Sequence, residues 1–113
     1  MKKPTHTPAD LNIGFGVAIT VEAIPDEEDA IGAILQGLVA PTTGEPGVKL
    51  FLPYRSSDNS GRIFLYEPNV EESGWQQHQE ATHFKAAIAE LLPHTAAREH
   101  VPLIPSFESL DQF

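Results

Sequence analysis

The chain opens on an alternation. Between Leu11 and Ala23 the large apolar side chains Ile13, Phe15, Val17, Ile19 and Val21 take every second position, and Gly14, Gly16, Ala18 and Thr20 fill the gaps. A period of two is the pattern of a strand. Neither set carries a charge before Glu22, so both faces are expected to be covered. Helices would cover the large side chains, and a second sheet or a ligand could come close over the small ones. The period then changes. Pro25-Asp26-Glu27-Glu28-Asp29 places acids where the positive end of a helix dipole favours them. Ile31, Ile34, Leu35, Leu38, Val39 and Thr42 follow at helical spacing, and Pro41 with the GEPG turn at 44–47 predicts the end of that helix.

Two more strands are predicted at Val48–Arg55 and Arg62–Glu67, joined by the turn-forming loop SSDNSG at 56–61. In the later strand Ile63 and Leu65 oppose Phe64 and Tyr66, and Pro68 ends the ladder. Ser73 is placed to cap a second helix over 74–92, with room for a break near Ala81-Thr82. Its apolar stripe is Phe84, Ala87, Ile88, Leu91 and Leu92, and Pro93 stops it. A last strand is expected over 101–110, VPLIPSFESL, whose two prolines suit an edge or a late start. The order β-α-β-β-α-β predicts an α+β, ferredoxin-like domain: a four-stranded antiparallel sheet with two helices on one face. A bare sheet face on so small a domain predicts a homodimer packed sheet against sheet. Residues 1–10 read as a flexible N-terminal tail, and 11–113 as a single domain.

Composition narrows the partners. The chain has 113 residues, the size of one domain, and a net charge of −9. Such a surface repels phosphate, so nucleic acid and anionic membrane are not expected partners. There is no cysteine, which removes disulfides, thiolate catalysis and zinc–sulfur sites. Met1-Lys2-Lys3 ahead of LNIGFGVAITV mimics a signal peptide, but Asp10 and Asn12 interrupt the approach and no cleavage pattern follows. A cytoplasmic protein is expected. No run reaches the roughly 18 apolar residues of a membrane span.

Candidate chemistry concentrates in YEPNVEESGWQQHQEATHF, residues 66–84, which holds the only Trp, one of two Tyr and two of five His. His78 and His83 are five residues apart. On one continuous helix that is about 140° around the axis, so the two rings would not share a face. Helical metal pairs use i, i+3 or i, i+4, and the spacing argues against a metal centre. No Gly-rich phosphate loop or G-x-S-x-G motif occurs, and Glu71-Glu72 reads as a solvated helix start. What remains is general-base or hydrogen-bond work by a histidine in an apolar cleft, with His83 the first choice because it adjoins Phe84. Phe15, Phe51, Phe64, Tyr66, Trp75 and Phe84 are either core aromatics or the walls of a flat pocket for an aromatic ligand.

These residues resemble the antibiotic biosynthesis monooxygenase family of the dimeric α+β barrel superfamily. The family pattern runs Tyr-Glu-x-Trp at the end of strand three, then an apolar residue, His, four residues and His-Phe. Tyr66-Glu67-Pro68-Asn69, Trp75, His78 and His83-Phe84 fall on that pattern, with Asn69 in place of the family Trp. Leu38-Val39, Thr42 and Glu45-Pro46-Gly47 resemble the family's turn into strand two. The likeness covers roughly residues 11–93. It implies a homodimer with packed sheets, a cleft between helices and sheet in each subunit, and oxidation of quinols or polyphenols without metal, haem or flavin. In the superfamily's haem-degrading branch a histidine ligates the haem, and Ile88 stands at the matching helix position here. On this resemblance His83, His78 and Asn69 would be catalytic, and Phe15, Phe51, Tyr66, Trp75 and Phe84 would bind a small aromatic substrate, with no cofactor. The rival readings are a non-catalytic ligand-binding or stress-response dimer and a small-metabolite isomerase.

Overall fold

The computed structural model describes Leu11 and residues 13–105. The expected tail at 1–10 lies outside the described residues. The elements are β1 (Phe15–Ala23), α1 (Glu28–Thr43), β2 (Leu52–Arg55), β3 (Arg62–Asn69), α2 (Glu72–Glu80), α3 (Thr82–Leu91), a short 3-10 turn (Leu92–His94) and β4 (Thr95–Leu103). The strands form one antiparallel sheet in the order β2-β3-β1-β4, which is the ferredoxin-like arrangement.

Parity decides the faces. Val17, Val21, Ile63 and Leu65 point to the helix side and are buried, and Val21, Ile63 and Leu65 join one core cluster with Ile31, Leu35 and Leu38 of α1 and Ala87 and Leu91 of α3. The opposite face is open. Tyr54, Phe64, Tyr66 and Val101 are exposed on it. The close approach expected over the small face of β1 comes from within the chain: a Cβ on Gly16 would stand 3.4 Å from the ring of Tyr66.

Several boundaries differ from the sequence expectation, each for a local reason. β1 begins at Phe15 because Gly14 has φ +95°, outside the strand region. α1 runs through Pro41 to Thr43, since a proline two residues from the end removes one bond from a turn already closing. Only Leu52–Arg55 of the second strand is regular. Val48 and Phe51, three residues apart, are both buried, which strict alternation forbids. α2 starts at Glu72, and the Ser73 hydroxyl bonds the Glu71 carboxylate instead of capping the helix. The second helix is two helices, α2 and α3, so among the described residues the sheet is covered by α1, α2 and α3. The last strand starts at Thr95, well before the expected residue 101, and pairs with β1 of its own chain; positions 106–110 lie outside the described residues. Seven of its nine residues are exposed, so β4 has no apolar alternation for a sequence reading to find. It does lie at the sheet edge, where its prolines suit it.

Candidate functional site

The break between α2 and α3 builds the site. Ala81 sits at φ −66°, ψ 141°, and serves as the C-terminal cap of one helix and the N-terminal cap of the next. Its N–H donates to the His78 carbonyl and its own carbonyl accepts from Lys85. The 140° separation held only for a continuous helix. With the axis redirected at Ala81, the His78 and His83 rings come to 6.0 Å between centroids.

They meet on a third residue. Glu45, in the turn after α1, places Oε2 2.6 Å from His78 Nδ1 and 2.9 Å from His83 Nε2. Backbone contact holds that turn in place: a Cβ on Gly47 would come within 2.7 Å of the Gly74 Cα, so the turn lies directly on α2. The Gly47 carbonyl also accepts from Val70 N–H at 2.9 Å. On the other side of His78, Nε2 lies 3.4 Å from Glu67 Oε1. Glu67 is fully buried, and neither of its carboxylate oxygens has a hydrogen-bond partner among the described residues. Burial pushes its pKa from the ordinary 4.5 up to about 7; the adjacent Asn69 amide opposes the shift and the Glu45 charge adds to it. His78, 1 % exposed, is held below the ordinary 6.5 by burial, against the pull of Glu45.

In front of His78 lies a cavity of about 200 Å³ between helices and sheet. Phe51, Trp75 and Phe84 wall it, and Val21, Leu38 and Leu65 add an apolar floor. Trp75 and His78 lie one turn apart on α2 with ring centroids 5.7 Å apart, and Phe84 meets the His78 ring edge-on at 4.7 Å. Arg98 and His100 of β4 line the cavity from its exposed side.

The structure thus gathers His78, Phe51, Trp75 and Phe84 around one space. His83 is 30 % exposed and does not line the cavity; it reaches His78 through Glu45. Asn69 is buried beside Glu67, and its side-chain amide donates to the Glu67 backbone carbonyl at 3.1 Å. Tyr66 lies on the opposite face of the sheet, by the same parity that exposes Phe64, and Phe15 is not part of the cavity wall. Sequence reasoning missed Glu45, Glu67, Arg98 and His100. Glu67 had a signal: it follows Ile63 and Leu65 on the inward parity, where a charge is out of place.

The profile described as antibiotic biosynthesis monooxygenase matches residues 14–90. The chain belongs to that family. Among curated proteins it is similar to "Putative monooxygenase Rv0793" of Mycobacterium tuberculosis, 29% identical over 76 residues, which cover 65% of this chain and 74% of that one. The solved structure of Rv0793 superposes with a TM-score of 0.78 at 23% identity, covering 83% of this chain and 96% of the other. A conserved protein from Methanosarcina mazei Go1 gives a TM-score of 0.80 at 17% identity, covering 86% and 97%. At these identities the structural likeness carries the fold alone. Family membership supports a general monooxygenase-type function. No helix among the described residues is long and apolar enough to cross a membrane.

Proposed function

We propose that this chain is a monooxygenase that oxidises a small, electron-rich aromatic, a quinol or polyphenol, with O2 and without a metal or organic cofactor, as a cytoplasmic homodimer joined through its sheet faces. The observation that carries the reading is the apolar, aromatic-walled cavity with one buried imidazole in its wall, backed by carboxylates on both nitrogens. At about 200 Å³ it lies below the roughly 300 Å³ of typical drug-sized sites, so the ligand is small. The exposed aromatic face of the sheet supports the dimer.

His78 takes the proton of the bound phenol at Nε2: burial keeps the ring neutral, Nδ1 is held by Glu45, and Nε2 makes no hydrogen bond to Glu67. Glu45 and the half-exposed His83 offer that proton a route to solvent. The electron-rich anion passes one electron to O2, and the two radicals join at carbon to give a peroxide. The O–O bond then breaks. One oxygen remains as a carbonyl, and the other leaves as water with two hydrogens of the substrate, so no outside reductant is consumed. Trp75, Phe84 and Phe51 hold the ring flat and keep water away.

The test is oxygen uptake by metal-depleted protein with a panel of reduced quinols and anthrones, beside His78→Gln. Uptake that falls by about 10²–10⁴-fold in a folded variant supports the reading. Ligand binding without uptake would leave a binding protein of the same fold, and uptake unchanged in His78→Gln would remove the histidine from the chemistry.

A further inference from the structure

The cluster of Glu45, His78 and His83 has a second capacity that the oxidation does not use. It presents two imidazole nitrogens and one carboxylate oxygen, all within 4.8 Å of one another. Two histidines and a carboxylate are the donor set of three-ligand zinc sites and of related borderline divalent ions. The donors come from three separate pieces of chain: the turn after α1, the end of α2 and the start of α3. With bonds of about 2.0–2.2 Å, tetrahedral donors stand about 3.3 Å apart. The present spacings of 2.6 and 2.9 Å are those of hydrogen bonds, so an ion needs an opening of the two histidine–carboxylate distances by about 0.7 and 0.4 Å while the two imidazole nitrogens settle to the same spacing. His83, at 30 % exposed, has the freedom to give it, and His83 and Glu45 leave the site open to solvent.

A second observation points the same way. Ligating histidines nearly always donate their other ring N–H to a carboxylate or carbonyl. Glu67 stands in that position, fully buried, 3.4 Å from His78 Nε2, with both oxygens lacking a hydrogen-bond partner among the described residues. If His78 donates from Nδ1 to Glu45 as a neutral ring, its Nε2 carries no proton to offer Glu67. Once Nδ1 ligates an ion, the ring proton must sit on Nε2, and Glu67 gains its donor. The buried carboxylate that lacks a partner in the hydrogen-bonded cluster is the outer partner that a metal-bound His78 requires.

We propose that Glu45, His78 and His83 bind one divalent transition-metal ion of the zinc class, with Glu67 as the positioning partner of His78. This site does not depend on the oxidation proposed above. It competes with it, because an ion on His78 Nδ1 occupies the path the substrate proton would take.

Untagged, metal-stripped protein is titrated with Zn²⁺ by calorimetry and with Co²⁺ by visible absorption. One ion per chain is expected, with the intense d–d bands of a low-coordinate Co²⁺ site. His83→Ala and Glu45→Gln should each weaken binding at least tenfold, and Glu67→Gln by about 10–100-fold. His94→Ala, on a separate pair with Glu27, should leave it unchanged. Circular dichroism of His83→Ala, a part-exposed position, confirms the fold before its affinity is read. No stoichiometric uptake would overturn the proposal, as would binding that survives both His83→Ala and Glu45→Gln. The oxygen assay is run without ions, so its failure and the failure of this site are read separately.

Discussion

Replacing Glu67 by Gln should make the protein more stable at alkaline pH and change little at acid pH. The shift of the Glu67 pKa from 4.5 to about 7 means that between those values the native chain holds a proton the unfolded chain has released. Unfolding free energy therefore falls as pH rises, by about 1.4 kcal/mol per unit, or about 3 kcal/mol across the window. Below pH 4.5 both states are protonated and the contribution is fully present; above pH 7 it is gone. Gln keeps the shape and stays neutral throughout. The advantage of Glu67→Gln over wild type should thus grow by about 3 kcal/mol between pH 4.5 and 8. His78 acts in the opposite sense. Its lowered pKa removes stability as pH falls below 6.5, because the unfolded ring then gains a proton that the buried ring refuses. The two groups are 3.4 Å apart and titrate as a pair, so the comparison is made across the whole range and not at one midpoint. Urea unfolding followed by the single Trp75, at fixed chain concentration and with chelator present, measures it. An advantage for Gln that is the same at pH 5 and pH 8 would refute the reasoning.

Two further perturbations test the frame around the site. Gly47→Ala pushes a methyl group to within 2.7 Å of the Gly74 backbone and should cost about 1–3 kcal/mol in chemical unfolding while loosening Glu45 from the histidines; an unchanged midpoint would mean that the turn yields freely. Tyr66→Lys places a charge among Tyr54, Phe64 and Val101 and should give a monomer in sedimentation; a dimer that survives it is not joined through this face.

Much of the architecture could be read from alternation and periodicity. β1, α1 and β3 carry clean patterns because each buries one face against a continuous core. β4 carries none because it is exposed on both faces, and β2 is blurred because Val48 and Phe51 both turn inward. The aromatic wall was legible as a cluster, since Trp75 and Phe84 sit near the histidines in sequence. The convergence of His78 and His83 was not. It depends on one extended residue, Ala81, and no side-chain cap at that junction announces it. Glu45 is distant in sequence and reaches the site through backbone contacts of its turn, Gly47 on Gly74 and on the Val70 N–H, that no periodicity encodes.

The interrupted helix has a consequence for the order in which the molecule forms. α2 has nine residues and α3 has ten, both shorter than the roughly 12–15 needed for a helix to persist alone in water. Each therefore borrows its persistence from the sheet beneath it. The histidine–carboxylate cluster cannot assemble ahead of that sheet, and amides of α2 and α3 should lose protection from hydrogen exchange no later than those of β1 and β3. A destabilising change anywhere in the sheet core is then felt at the cluster as a lower fraction of assembled sites, with every surviving copy intact.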